Sequence, residues 1–167
     1  IIVGAQNMNE NEQGAFTGEV SASMLTSIGI KHTLVGHSER RQYYNESNAS
    51  CAAKIRTALK HGITPVYCIG ETLSERESNN HFEVVKTQLS ALEGLSADDM
   101  SKCIIAYEPV WAIGTGKTAS AEQANEMHIH IRSVLATLSN QSCADGMSIL
   151  YGGSVKPDNA KSLFAMS

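Results

Sequence analysis

Short β-rich runs alternate with helical stretches along all 167 residues, and that alternation narrows the fold more than any other feature of the chain. Apolar strands separated by amphipathic helices cannot pair as hairpins, so they should lie side by side in a parallel sheet with the helices as crossovers. Five strands are expected: Ile1 to Ala5, His32 to Gly36, Pro65 to Ile69, Cys103 to Tyr107 and Ser148 to Tyr151. Each is apolar on successive residues, as a strand buried on both faces should be. The helices carry their own signals. Thr72-x-x-Glu75 and Ser120-x-x-Gln123 have capping-box spacing. The stretches they open place Phe82, Val85, Leu89 and Leu92, then Ala124, Met127, Ile131, Val134 and Leu138, on single faces. Another helix presents Ala52, Ile55 and Leu59 before Gly62, and Met24, Leu25 and Ile28 precede Gly29. No linker or charge run interrupts the pattern, so residues 1–167 read as a single domain.

Composition excludes several classes. With 42% hydrophobic and 18% charged residues, the chain is an ordinary globular protein rather than a disordered or fibrous one. A net charge of −4 without a Lys/Arg run argues against a nucleic-acid or membrane surface. No apolar run approaches a membrane span and no signal peptide is evident, so a cytosolic location is expected. Cys51, Cys68, Cys103 and Cys143 are widely spaced, and two of them lie in expected strands, so all four read as reduced thiols. There is no Cys-x-x-Cys pair, and His128 and His130 would point to different helix faces, so no metal site is expected. The Asn-x-Ser sequons at Asn45, Asn48 and Asn140 have a mechanism only in a secreted protein.

The chemistry concentrates where strands end. Gln6 and Asn7, His37 and Ser38, Gly70 and Glu71, Glu108, and Gly152 to Ser154 follow successive strands. In parallel α/β folds these exits face a common site, so groups far apart in sequence should converge. Glu108 follows a buried strand and precedes Pro109, which ends the ladder. From Val110 to Gly116 the loop carries Trp, Ala and Ile where a solvated loop would be polar, as a lid over a catalytic base would. An ordinary loop with a capping Glu is the alternative. His37 sits at a strand exit where a helix can begin, and a helix N-terminus disfavours an imidazolium. A neutral His there could polarise a carbonyl oxygen, or it could be structural. Gly36-His37-Ser38-Glu39-Arg40 mimics a nucleophile elbow, but Arg40 stands where that turn needs Gly. Gly116-Lys117-Thr118 mimics the end of a P-loop, but Trp111 stands where its first Gly belongs. The glycines at 114, 116, 152 and 153 can serve a phosphate or simply make turns.

Gly14 to Glu19, Val35 to Arg41, Tyr67 to Glu71, Ala106 to Lys117 and Tyr151 to Val155 together resemble the triosephosphate isomerase family in order and spacing, over essentially the whole chain. The resemblance implies an α/β fold, the (β/α)8 or TIM barrel, with the five strands corresponding to the third through seventh. It implies interconversion of dihydroxyacetone phosphate and glyceraldehyde 3-phosphate, in glycolysis and gluconeogenesis, without a cofactor. Glu108 would be the base and His37 the neutral electrophile. Gly114 and Ser154 would hold the phosphate, and Tyr151 and Ser154 would latch a lid. Ile113 lies in that lid; Trp111 would act near its hinge with Glu71 as partner. Glu39 and Cys68 would support the site from behind. The loop around Phe16 and Thr17 would insert into a second subunit of a homodimer.

The family pattern also has two earlier βα units, the first with an Asn-x-Lys motif, and an eighth strand with a Gly-Gly pair; these 167 residues contain neither. Together with an opening at Ile1 rather than Met, this leads us to expect a piece of a longer protein, and an isolated piece that is nearly inactive. A non-catalytic phosphate-binding or interaction fragment of the same barrel is the alternative function.

Overall fold

A computed structural model describes residues 1–113 and 118–166. In chain order its main elements are α1 (Ala22–Ser27), β1 (His32–Val35), α2 (Ser38–Tyr44), α3 (Asn48–Lys60), β2 (Thr64–Ile69), α4 (Leu73–Glu77), α5 (His81–Leu89), α6 (Ala97–Ser101), β3 (Ile104–Tyr107), α7 (Ala121–Leu138), α8 (Gln141–Gly146), β4 (Ile149–Tyr151) and α9 (Pro157–Phe164). The four strands form one parallel sheet in the order β1-β2-β3-β4. Each strand pairs with the next in sequence, which is the local form of a barrel wall.

Two expectations need correction. Ile1 to Ala5 is not a strand: only Ala5 bridges to Thr33, donating to His32 O and accepting from Leu34 N, both at 2.8 Å. Ile1, Ile2 and Val3 remain exposed, and apolar sequence without a paired and covered neighbour does not complete a ladder. The Thr72 capping box is present but opens only the short α4. Asn79 adopts a left-handed conformation at φ 56°, so a separate helix starts at His81 and ends in a 3-10 turn, Ser90–Leu92. The Ser120 box does open the long α7.

Burial follows position in the sheet. β2 and β3 are buried on nearly every residue toward their C-terminal ends, whereas β1 alternates and Leu150 of β4 is exposed. The expectation of strands buried on both faces thus holds for the central pair and not for β1 or β4, which are only partly covered. The core runs from Ile55 of α3 through Tyr67, Ile69, Ile105 and Tyr107 to Met127, Ile131 and Leu135 of α7. The expected apolar faces of α3, α5 and α7 therefore cover the sheet, whereas of Met24, Leu25 and Ile28 only Leu25 is buried.

Register sets the site. Tyr107 of β3 pairs with Ile69 of β2 and Tyr151 of β4, so Glu108, Gly70 and Gly152 leave the sheet at one level. The ladder extends through them: Glu108 N donates to Ile69 O and Gly152 N to Tyr107 O, each at 2.7 Å.

Candidate active site

His37 is the N-cap of α2, and its ring Nδ1 accepts the Glu39 backbone N–H at 3.3 Å. An acceptor at Nδ1 places the ring proton on Nε2, giving a neutral imidazole whose donor faces the sheet. That Nε2 lies 3.0 Å from Glu108 Oε1. The other carboxylate oxygen accepts the Ser38 backbone N–H at 3.1 Å. The β1 and β3 exits, 71 residues apart in sequence, thus meet across the end of β2.

Glu108 is 6% exposed. Burial raises its proton affinity above the usual carboxylate range, against the opposing pull of His37, the Ser38 N–H and the Arg41 guanidinium. A carboxylate whose burial outweighs its donors is a stronger base than one in water. The approach of neighbouring strands depends on glycine. A Cβ at Gly70 would overlap the Glu108 carbonyl oxygen, and one at Gly152 would stand 3.1 Å from Glu108 Cγ. At the β1 exit Gly36 has φ +76°, and a Cβ there would meet Arg41 Nη2 and Cys51 Sγ at 2.9 Å.

Two polar groups support this exit from behind. Glu46 accepts the Gly36 N–H at 2.8 Å and pairs with Arg40 at 2.6 Å and Lys54 at 2.7 Å. Burial raises its pKa, but those partners outweigh it and hold the carboxyl below its ordinary value. Arg41 donates to Gly36 O at 2.8 Å, Asn48 Oδ1 at 2.7 Å, Tyr67 OH at 3.2 Å and Cys68 O at 3.4 Å, tying the ends of β1 and β2 together. Sequence reasoning missed both. Their only signal is a run of charged residues behind a strand exit, which equally describes a solvated helix face.

The remaining site expectations fall at different distances from this pair. Glu71 is fully buried, and its Oε1 accepts from Trp111 Nε1 at 2.8 Å and Tyr107 OH at 3.1 Å. The expected Trp111–Glu71 partnership is therefore a direct hydrogen bond. Ile113 is 37% exposed at the last described residue before the loop, and Gly114 lies outside the described residues. Tyr151 is half-buried, and burial raises its phenol pKa against the opposing Ala119 backbone N–H. Ser154 follows β4, its carbonyl accepting from Asn159 Nδ2 at 3.0 Å. Cys68 is buried at the end of β2, and burial, then the Glu108 charge, raises its thiol pKa. Glu39 contributes its backbone N–H to His37, while its side chain is 71% exposed. Thr17 and Phe16 lie on an exposed loop far along the chain from these exits.

The other cysteines are free thiols; burial pushes Cys51 up to about 11 and Cys103 up to about 12. Among the described residues no group of three His, Cys, Asp or Glu side chains could hold a metal ion, and no helix is long and apolar enough to cross a membrane.

Chemically, a neutral imidazole donor beside a buried carboxylate base suits proton removal from a carbon next to a carbonyl, with the imidazole on the oxygen. Comparison with known proteins gives the family independently of the site. A family model described as triosephosphate isomerase matches residues 1–167. Among curated relatives, the triosephosphate isomerase of Bacteroides fragilis is 56% identical over 163 residues, covering 98% of this chain and 65% of the relative. That of Cytophaga hutchinsonii is 54% identical over 166 residues, covering 99% and 66%. That of Porphyromonas gingivalis is 53% identical over 164 residues, covering 98% and 65%. The chain spans about 65% of the length of these relatives. With a family model matched from end to end and relatives more than half identical over nearly the whole chain, the chain belongs to the triosephosphate isomerase family.

Proposed function

We propose that the protein carrying this chain interconverts dihydroxyacetone phosphate and D-glyceraldehyde 3-phosphate by proton transfer through an enediolate. The observation that carries this reading is the 3.0 Å contact between neutral His37 Nε2 and the buried Glu108 carboxylate. Their direct contact opens to admit the substrate between them. Glu108 then takes a proton from C1 of dihydroxyacetone phosphate, the electron pair forms the C1–C2 double bond, and His37 hydrogen-bonds the developing oxygen charge. Return of the proton to C2, with the hydroxyl proton passing between the oxygens, completes the aldose. Protons and electrons balance without a cofactor or metal.

The phosphate falls to backbone N–H groups of Gly114 and Ser154, and the loop from Val110 to Gly116, with Trp111 near its hinge, serves as a lid that Tyr151 and Ser154 latch. Exclusion of water protects the enediolate from losing phosphate and strengthens the electrostatics around it. Glu39 and Cys68 support the pair, and the Phe16–Thr17 loop reaches into a second subunit of a homodimer. Residues 1–167 act as one domain of a cytosolic enzyme of glycolysis and gluconeogenesis. Isomerisation in D2O tests the proton route: a solvent-exchanging carboxyl leaves deuterium on the carbon beside the carbonyl. Substrate binding without turnover would favour a phosphate-binding module, and turnover with deuterium uptake at an unchanged rate in a folded Glu108→Gln protein would refute Glu108 as the carrier.

A further inference from the structure

Arg76 stands on α4, away from the reacting pair, yet it joins three elements that border the lid. Its Nη1 donates to Glu71 Oε1 at 3.1 Å, the same oxygen that accepts Trp111 Nε1 at 2.8 Å and Tyr107 OH at 3.1 Å. Its guanidinium carbon lies 5.5 Å from the centroid of the Trp111 ring, within cation–π range. Its Nη2 reaches Glu126 Oε2 on α7 at 3.4 Å. Helix α7 is the helix that follows the lid segment in sequence, so one planar cation touches both the base of the lid's N-terminal side and the helix beyond its C-terminal side.

The arrangement is costly to lose. Glu71 is fully buried with its side chain at 0% exposure, and Arg76 is its cationic partner. Its other oxygen has no hydrogen-bond partner among the described residues. Removing the cation would leave Trp111 and Tyr107 as donors to a buried charge without compensation. The Glu71 backbone carbonyl also accepts Val110 N at 3.1 Å, so displacement of Glu71 moves the chain just beyond Glu108. A fork-shaped guanidinium can hold Glu71 and Glu126 while lying over an indole; an ammonium is a single point charge and cannot do all three.

We propose that Arg76 is a positioning residue for the lid: it fixes the Trp111 hinge through Glu71 and ties that hinge to α7. The proposal rests on the isomerase reading for its kinetic consequence, but not for the contact itself. The test uses the complete protein labelled with 5-fluorotryptophan, in which the ¹⁹F resonance that vanishes in Trp111→Phe belongs to the hinge. Arg76→Gln should shift or broaden that resonance, lower kcat by about tenfold with KM changed far less, and raise the fraction of intermediate lost as methylglyoxal. Arg76→Lys keeps the charge and guards against a folding failure; it should recover part of kcat but leave the resonance displaced. The pH profile of kcat/KM should keep its shape, because the Glu108 base is untouched. An unmoved resonance in both folded variants would overturn the clamp. A displaced resonance with normal kcat and product partitioning would overturn its role in the lid. If the unsubstituted protein shows no isomerisation, the functional reading fails, while the resonance still decides whether Arg76 holds Trp111.

Discussion

Replacing Glu108 by Gln changes one oxygen to an amide nitrogen and leaves side-chain volume almost unaltered, so chemistry and packing can be separated. In the native site Oε1 faces His37 Nε2 at 3.0 Å and Oε2 faces Ser38 N at 3.1 Å. Both neighbours are donors, so the amide oxygen can satisfy one and its NH2 group must confront the other. That mismatch is local and allows the chain to fold. The basic oxygen, however, is gone. A positioned general base contributes about 10²-fold or more, which corresponds to roughly 2.7 kcal/mol or more of transition-state stabilisation. We expect kcat for glyceraldehyde 3-phosphate, followed by a coupled assay, to fall by at least that factor, with a smaller change in KM. In the native enzyme the acidic limb of kcat/KM should lie above the ordinary carboxylate value, because burial raises the Glu108 pKa. Stability carries an independent signature. Between the unfolded carboxylate pKa and the raised folded one, the native state binds more protons than the unfolded state, so stability falls as pH rises through that window. Glu108→Gln should remove that slope, seen as a change in the pH dependence of the denaturation midpoint. Near-normal kcat in a folded Glu108→Gln protein would remove Glu108 from the role of base, and an unaltered pH slope would contradict its burial as the source of the raised pKa.

Gly70→Ala should destabilise the protein by about 1–3 kcal/mol or more and lower kcat, since the added methyl overlaps the Glu108 carbonyl and only a shift of that backbone relieves it; a denaturation midpoint equal to wild type would contradict the close approach. Lys54→Met should cost about 1–3 kcal/mol, because the buried Glu46 carboxylate loses one of its two cations and keeps Arg40 and the Gly36 N–H. The Glu46 pKa is held low in the fold, so its stabilising contribution is present above the unfolded carboxylate pKa and is lost as pH falls through the lower folded one. Lys54→Met should narrow that acid-sensitive window, and urea titrations at several pH values would show whether it does. Deleting residues 113–116 should leave the fold intact while slowing isomerisation and raising methylglyoxal formation; unchanged rate and partitioning would make the segment a mere connector.

The parts legible in the sequence were those decided within a few residues. The Ser120 box and the apolar face of α7 needed only local spacing, and both appear as read. Thr72 was read correctly as a cap, yet the length of its helix was not, because the left-handed turn at Asn79 is a choice between two short helices packed separately. Ile1 to Ala5 failed for the opposite reason: its residues suit a strand, but pairing depends on what lies beside and above them. His37 and Glu108 were legible because parallel topology gathers strand exits, so a polar residue after an apolar run carries spatial information. Gly70 and Arg76 follow the same strand, yet Gly70 owes its role to the Glu108 carbonyl and Arg76 part of its role to Trp111 and to Glu126 on α7, which no spacing rule along one segment encodes.

Three glutamates show where that limit lies physically. Glu46, Glu71 and Glu108 are all buried, and each stands near a strand exit or a helix start. Glu46 meets two cations and a backbone N–H, and its partners overcome burial to favour the charged form. Glu71 meets one cation, an indole and a phenol on a single oxygen, an arrangement that fixes rings in place. Glu108 meets the His37 imidazole and Ser38, with the Arg41 guanidinium acting electrostatically, yet burial prevails over them and its proton affinity rises. A general base near neutral pH requires that last condition, and stronger pairing at Glu108 would make the protein more stable and the base weaker. In the isomerase reading proposed above, the reactive carboxylate is therefore one whose burial outweighs its partners. That distinction resides in the donors each carboxylate meets, so it becomes visible only once the strands are laid side by side.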